Sequence, residues 1–92
     1  MQLAAAAGRA PVTGDVWGRL ARCESGGNSQ AVGGRGKFFG AFQFSLQTWH
    51  SMGMSGNPVD YSYGDQLAVA QRLQARSGWR NWPVCAPRVV RG

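Results

Sequence analysis

Trp17-Gly18-Arg19-Leu20-Ala21-Arg22-Cys23-Glu24-Ser25-Gly26-Gly27-Asn28 is the stretch on which the reading of this chain turns. Val16, Trp17, Leu20, Ala21 and Cys23 recur on one face at helical spacing, and Thr13 or Asp15 is a suitable cap for the helix start. Ser25-Gly26-Gly27 ends that helix, because paired glycines weaken helix and suit a left-handed C-terminal cap. Glu24 therefore falls in the last turn, where its negative charge opposes the helix dipole and its proton is held more tightly. A carboxylic acid that stays protonated near neutrality is what general-acid cleavage of a glycosidic bond requires. A surface glutamate paired with an arginine satisfies the same spacing, and helix position alone does not separate the two.

Outward from this helix the punctuation is clear. Gly33-Gly34-Arg35-Gly36 leading into Lys37-Phe38-Phe39-Gly40 predicts a short hairpin or extended loop. Ser45 caps a short helix carrying Leu46, Trp49 and Met52, and residues 53–58 form a loop. Ser62-Tyr63-Gly64-Asp65 opens the longest helix, whose apolar stripe is Leu67, Ala70 and Leu73 with Val69 beside them. Arg72 and Arg76 suit its negative end, and Gly78 stops it. The expected organisation is an N-terminal tail over 1–11, one domain over 12–86 and a C-terminal tail over 87–92. The fold class is α+β, mostly helical, with a small β-hairpin.

The chain has 92 residues, enough for one core. With 43% hydrophobic and 15% charged residues it is too apolar to be disordered, and no apolar run approaches a membrane span. Ten basic residues against four acidic ones give +6, which predicts attraction to polyanions. The charges are scattered and no nucleic-acid-reading motif accompanies them, so a face drawn to an anionic wall polymer is preferred to a nucleic-acid binder. The first eight residues lack the charged and apolar regions of a signal peptide.

Two cysteines and a single histidine, His50, leave no metal-ligand cluster, and neither metal nor cofactor is expected. A Cys23–Cys85 disulfide would close a loop of about 60 residues and contribute about 4 kcal/mol by chain-entropy reasoning. It implies an oxidising, extracellular setting; two buried thiols in a cytosolic protein are the alternative. Of the four carboxylates, Asp15 and Asp65 are explained by helix starts, and Asp60 lies in a loop.

The helix-end stretch quoted first resembles the opening of the resuscitation-promoting factor catalytic domain, a transglycosylase-like family of secreted cell-wall enzymes. Three further blocks agree in order: Phe39-Gly40-Ala41-Phe42-Gln43-Phe44-Ser45 with Thr48-Trp49; Asp65-Gln66-Leu67-Ala68-Val69-Ala70; and Gly78-Trp79-Arg80-Asn81-Trp82-Pro83-Val84-Cys85. The resemblance implies a compact lysozyme-like fold with a groove for a peptidoglycan glycan strand, Glu24 as catalytic acid, and Cys23 with Cys85 as the family disulfide. It also implies substrate contacts from Asn28, Phe39, Gln43, Trp49 and Trp82, although the two tryptophans fit a core role as well as a groove role. Trp17 and Trp79 are expected in the core. A monomer, secreted and wall-associated, is implied, with a peptidoglycan endopeptidase as a partner that members of the family act beside.

The stretch Val32 to Ala41 departs from the family loop, which carries a threonine and two tyrosines, and Ser29 stands in place of a tryptophan. Lost hydroxyls remove hydrogen bonds to sugar, while Arg35 and Lys37 suit an anionic peptide stem. A conventional hydrolase needs a second carboxylate at a defined distance. With Asp15 and Asp65 at helix starts, only Asp60 remains as a free candidate for that second carboxylate, and a one-carboxylate route closing a 1,6-anhydro ring is favoured over hydrolysis by a muramidase. A non-catalytic peptidoglycan-binding module on the same fold is the other reading.

Overall fold

The computed structural model describes residues 12–91, with side chains from Val16 to Val90. The expected N-terminal tail over 1–11 lies outside the described residues. Helix α1 spans Val12–Ser25. It begins ahead of Thr13 and Asp15, so neither is its cap. Its C-terminal end is the glycine cap anticipated from sequence: Gly26 and Gly27 have φ of 70° and 80°, and their N–H groups donate to the carbonyls of Arg22 and Ala21.

Strands β1 (Val32–Gly33) and β2 (Phe38–Phe39) form a two-stranded antiparallel hairpin with Val32 opposite Phe39 and Gly33 opposite Phe38. The chain then folds back so that Phe39 and Phe44 exchange backbone hydrogen bonds of 2.8 and 2.9 Å. Helix α2 (Leu46–Ser51) starts at Ser45, whose side chain accepts from Thr48 N–H. After a 3₁₀ turn at Pro58–Asp60 comes α3 (Tyr63–Ser77), capped by Ser62 and ended by Gly78. In each case a side-chain oxygen satisfies a backbone donor that the helix leaves unpaired.

The C-terminal segment differs from the expectation of a tail over 87–92. Helix α4 runs over Cys85–Arg91 and buries Val89 to 8% exposure. Arg19 reinforces it, donating from Nη2 to the Val89 carbonyl at 3.0 Å. Pro87 does not prevent the helix, because it occupies the first turn, where an N–H has no intrahelical acceptor. Helix α4 packs on α1, and the Cys23–Cys85 disulfide joins the two with Cα atoms 5.9 Å apart.

The core lies between α1, α3 and the aromatic residues of the loops. Leu20, Phe42, Trp49 and Ala70 are fully excluded from solvent. Trp17 packs edge-on against Phe42 and Trp82 at centroid distances of 6.0 and 5.8 Å, the perpendicular geometry that aromatic quadrupoles favour. Trp79 is only partly buried and lies 5.0 Å from Trp17. Among the described residues no helix is long and apolar enough to cross a membrane.

Among the described residues one buried residue is polar. Gln66 on α3 is 0% exposed. Its Oε1 accepts from Ala41 N–H at 2.7 Å, and its Nε2 faces the carbonyls of Ser29, Pro58 and Tyr61 at 2.9, 2.7 and 3.0 Å. This one carboxamide ties three loops to α3 and fixes the end of the hairpin behind the groove described next.

Candidate active site

Glu24 projects from the last turn of α1 into an open cavity of about 300 Å³. The opposite walls are Phe38 of the hairpin, Gln43 of the following turn, and the segment Asn81 to Cys85. A smaller hollow of about 80 Å³ adjoins it and shares Phe38, Gln43, Asn81 and Trp82 as its walls, so the two form one trough. Among the described residues Glu24 is the only carboxylate lining either hollow.

The disulfide and the glycine cap determine where this carboxylate sits. Cys23 is bonded to Cys85, itself a wall residue. Ser25, on the other side of Glu24, has its single hydroxyl hydrogen shared between the carbonyls of Ala21 at 3.0 Å and Ala41 at 2.8 Å. The helix end is thus held to both the C-terminal helix and the loop after the hairpin. Glu24 is half-buried, and burial beside these largely apolar walls raises its pKa above the ordinary carboxylate value. Desolvation disfavours the charged form, so the acid keeps its proton to higher pH than a solvated glutamate.

The glycine-rich hairpin does more than turn the chain. A Cβ at Gly33 would overlap Oε1 of Gln43, and a Cβ at Gly34 would overlap the ring of Phe38. Both groove side chains therefore lie directly on bare backbone. Gln43 has φ of 53°, a left-handed conformation that costs a non-glycine residue of order 1–3 kcal/mol and persists only where the surroundings impose it. Its Nε2 donates to the Gly40 carbonyl at 3.0 Å, which locks the carboxamide over the trough.

The sequence-derived candidates separate. Glu24, Gln43 and Trp82 come together at the trough. Trp82 is nevertheless a core residue, 3% exposed, with Nε1 donating to the Phe42 carbonyl at 3.0 Å; only an edge forms the wall. Trp49 is corrected outright. It is 0% exposed, with Nε1 on the Ser55 carbonyl, and has no face for a sugar. Asn28 is exposed and accepts from Gln30 N–H at 2.9 Å, a turn role. Phe39 is replaced by its neighbour: successive strand residues face opposite sides, and it is Phe38, 41% exposed, that lines the trough. Asn81, Pro83 and Val84 were not anticipated as wall residues. The alternation along β2 was a usable signal for Phe38; for Asn81 there was none.

Asp65 is exposed at the start of α3 and Asp60 is exposed at the end of its 3₁₀ turn; neither lines the trough. The side chain of Asp15 lies outside the described residues. Among the described residues no group of three or more His, Cys, Asp or Glu is placed to hold a metal.

Helical layers around a small hairpin, with a half-buried glutamate at a trough, define a lysozyme-like domain. Comparison with known families agrees: the family model described as "Transglycosylase-like domain" matches residues 12–85. The chain belongs to this family, as a domain of the resuscitation-promoting factor type. It is 41% identical over 77 residues to the resuscitation-promoting factor Rpf of Micrococcus luteus, covering 84% of this chain and 34% of that protein. It is 46% identical over 69 residues to RpfC of Mycobacterium tuberculosis, covering 75% and 49%. With Rpf2 of Corynebacterium glutamicum the identity is 44% over 73 residues, covering 76% of this chain and 19% of the relative. The chain thus spans half or less of the length of these relatives.

Proposed function

We propose that this domain cleaves the β-1,4 bond between N-acetylmuramic acid and N-acetylglucosamine in peptidoglycan, as a lytic transglycosylase with Glu24 as its single acid and base. The observation that carries this reading is a carboxyl of raised pKa that is, among the described residues, the only acid lining its trough. Protonated Glu24 donates to the glycosidic oxygen as the bond to the muramoyl C1 breaks, and positive charge develops at C1 and the ring oxygen. The carboxylate so formed takes the proton of the muramoyl C6 hydroxyl, whose oxygen bonds to C1 and closes the 1,6-anhydro ring. Acid and base are regenerated in one residue, so no second carboxylate is required. The substrate's own N-acetyl group supports the charged centre, as in substrate-assisted glycosidases.

The disulfide supports a secreted, wall-associated setting, and the charge of +6 supports association with an anionic wall. Glu24→Gln keeps the size and removes the transferable proton. This variant should bind purified wall, melt cooperatively and release no product. Mass spectrometry of the wild-type digest should show anhydromuramic ends. Reducing ends would replace the ring-closing step by water and make the domain a muramidase. Full lysis by E24Q would remove Glu24 from the chemistry altogether.

A further inference from the structure

Across the ridge of Pro83 lies a groove that the cleavage chemistry does not use. It measures about 330 Å³ and is lined by Trp79, Arg80, Pro83, Ala86, Pro87 and Val90, a size at the lower end of the range for ligand sites. Pro83 also walls the trough, so groove and trough share a border. Behind that border Trp79 packs on the trough residue Trp82, with ring centroids 6.0 Å apart, and on Trp17 at 5.0 Å. Two proline rings and a tryptophan held from behind give the groove its shape before any ligand arrives, so little ordering cost attends binding. Val90, 46% exposed, leaves an apolar face open to solvent.

Charge is sorted across the Pro83 border. Among the described residues the trough is lined by one acid, Glu24, and by no base, whereas the groove is lined by one base, the exposed Arg80, and by no acid. This division suits a ligand that is uncharged in the trough and anionic, with small apolar groups, where it crosses Pro83. Peptidoglycan is built that way: uncharged sugar rings carry, on each muramoyl lactyl group, a peptide of small residues with free carboxylates. We propose that the groove takes this peptide stem, with Arg80 pairing with a stem carboxylate and alanine methyl groups resting on Trp79, Pro87 and Val90. A carboxylate held at Arg80 also stays clear of ionised Glu24, which repels it. Arg35 and Lys37, the basic residues expected from sequence to suit the stem, line neither the trough nor the groove. The inference rests on the reading of the trough as a glycan site and adds the branch of the substrate that is recognised beside it.

The test uses three soluble probes: a peptidoglycan tetrasaccharide bearing stems with free carboxylates, the same fragment with those carboxylates amidated, and the same fragment stripped of stems by an amidase. Affinity is measured by calorimetric titration in the E24Q background, where no probe is consumed. The free-carboxylate probe should bind most tightly. Adding Arg80→Ala should weaken it by about threefold to fivefold, the upper range for an exposed ion pair, and leave the affinities of the other two unchanged. Val90→Glu, which sets a like charge in the groove, should also weaken the free-carboxylate probe. Arg88→Ala lowers the net charge by as much as either variant, but Arg88 is exposed outside the groove and should change nothing. Equal weakening of all three probes by R80A, or an R88A effect as large as that of R80A, would make the effect one of general charge and overturn the assignment. No effect of R80A and V90E would also overturn it. Stem-independent binding together with self-association that V90E abolishes would give the groove to a second copy of the chain. Wall cleavage by the wild type is scored separately. Lysis without stem-dependent binding removes the groove and keeps the cleavage reading; stem-dependent binding without lysis does the reverse.

Discussion

Replacing Gln66 by Met keeps an unbranched side chain of similar length and deletes every hydrogen bond of the buried carboxamide. Two of the severed partners, Ala41 N–H and the Pro58 carbonyl, make bonds of 2.7 Å that lie wholly in the interior, and a Met side chain offers neither of them a replacement. An orphaned buried donor or acceptor costs about 1–3 kcal/mol, so the pair amounts to roughly 3–4 kcal/mol. The Ser29 and Tyr61 carbonyls are nearer the surface, where water takes over. For a domain of this size each kcal/mol lowers Tm by about 4–8 °C, giving a fall of roughly 12–30 °C. Circular dichroism melts of oxidised wild type and Q66M, at one pH and scan rate, measure it directly. A fall of less than about 5 °C would mean that the carboxamide network is not what ties the loops to α3. Because Ala41 also receives Ser25, Q66M should loosen the Glu24 turn and lower activity at temperatures where the variant is still folded.

Glu24 also sets a pH dependence of stability. Its pKa is raised in the folded state by burial, so the folded protein binds that proton more tightly than the unfolded chain. Stability contributed by this group is present below the ordinary carboxylate pKa and is lost as pH rises through the raised value. E24Q should therefore match wild type at low pH and melt higher than wild type near neutrality; equal melting curves throughout would contradict the buried-acid assignment. The activity of wild type should fall over the same window as the acid loses its proton, which a pH–rate profile tests. Cys23→Ser with Cys85→Ser should cost about 4 kcal/mol by chain-entropy reasoning. A melting temperature unchanged from the oxidised wild type would show that the bond constrains neither state.

Several elements were legible because their determinants lie within a few residues. Ser45 and Ser62 cap their helices from adjacent positions, Gly26 and Gly27 adopt the left-handed conformation that only glycine takes cheaply, and the glycine-rich stretch before Phe38 turns a hairpin. Glu24 was legible for the same reason: a helix end and its charge are local. The resemblance across four blocks then linked that residue to a cell-wall glycan. Trp49 was ambiguous because a tryptophan serves a core and a sugar face with the same atoms; its centroid contact of 5.0 Å with Phe44 belongs to the interior.

What the sequence determined by itself was the order of elements, their ends, and one acid at the close of the first helix, all consequences of interactions between neighbours along the chain. What only the tertiary structure decided was which side chains share a wall. Gln66 is buried where acceptors 8 and 37 residues away converge on it, and Val89 is covered where α4 packs on α1, with Arg19, 70 residues earlier, meeting its carbonyl. Phe38 rather than Phe39 faces Glu24 because the strand register, through Phe44, fixes the parity of the pleat. Burial and register are properties of distant segments meeting, and no local pattern encodes the meeting.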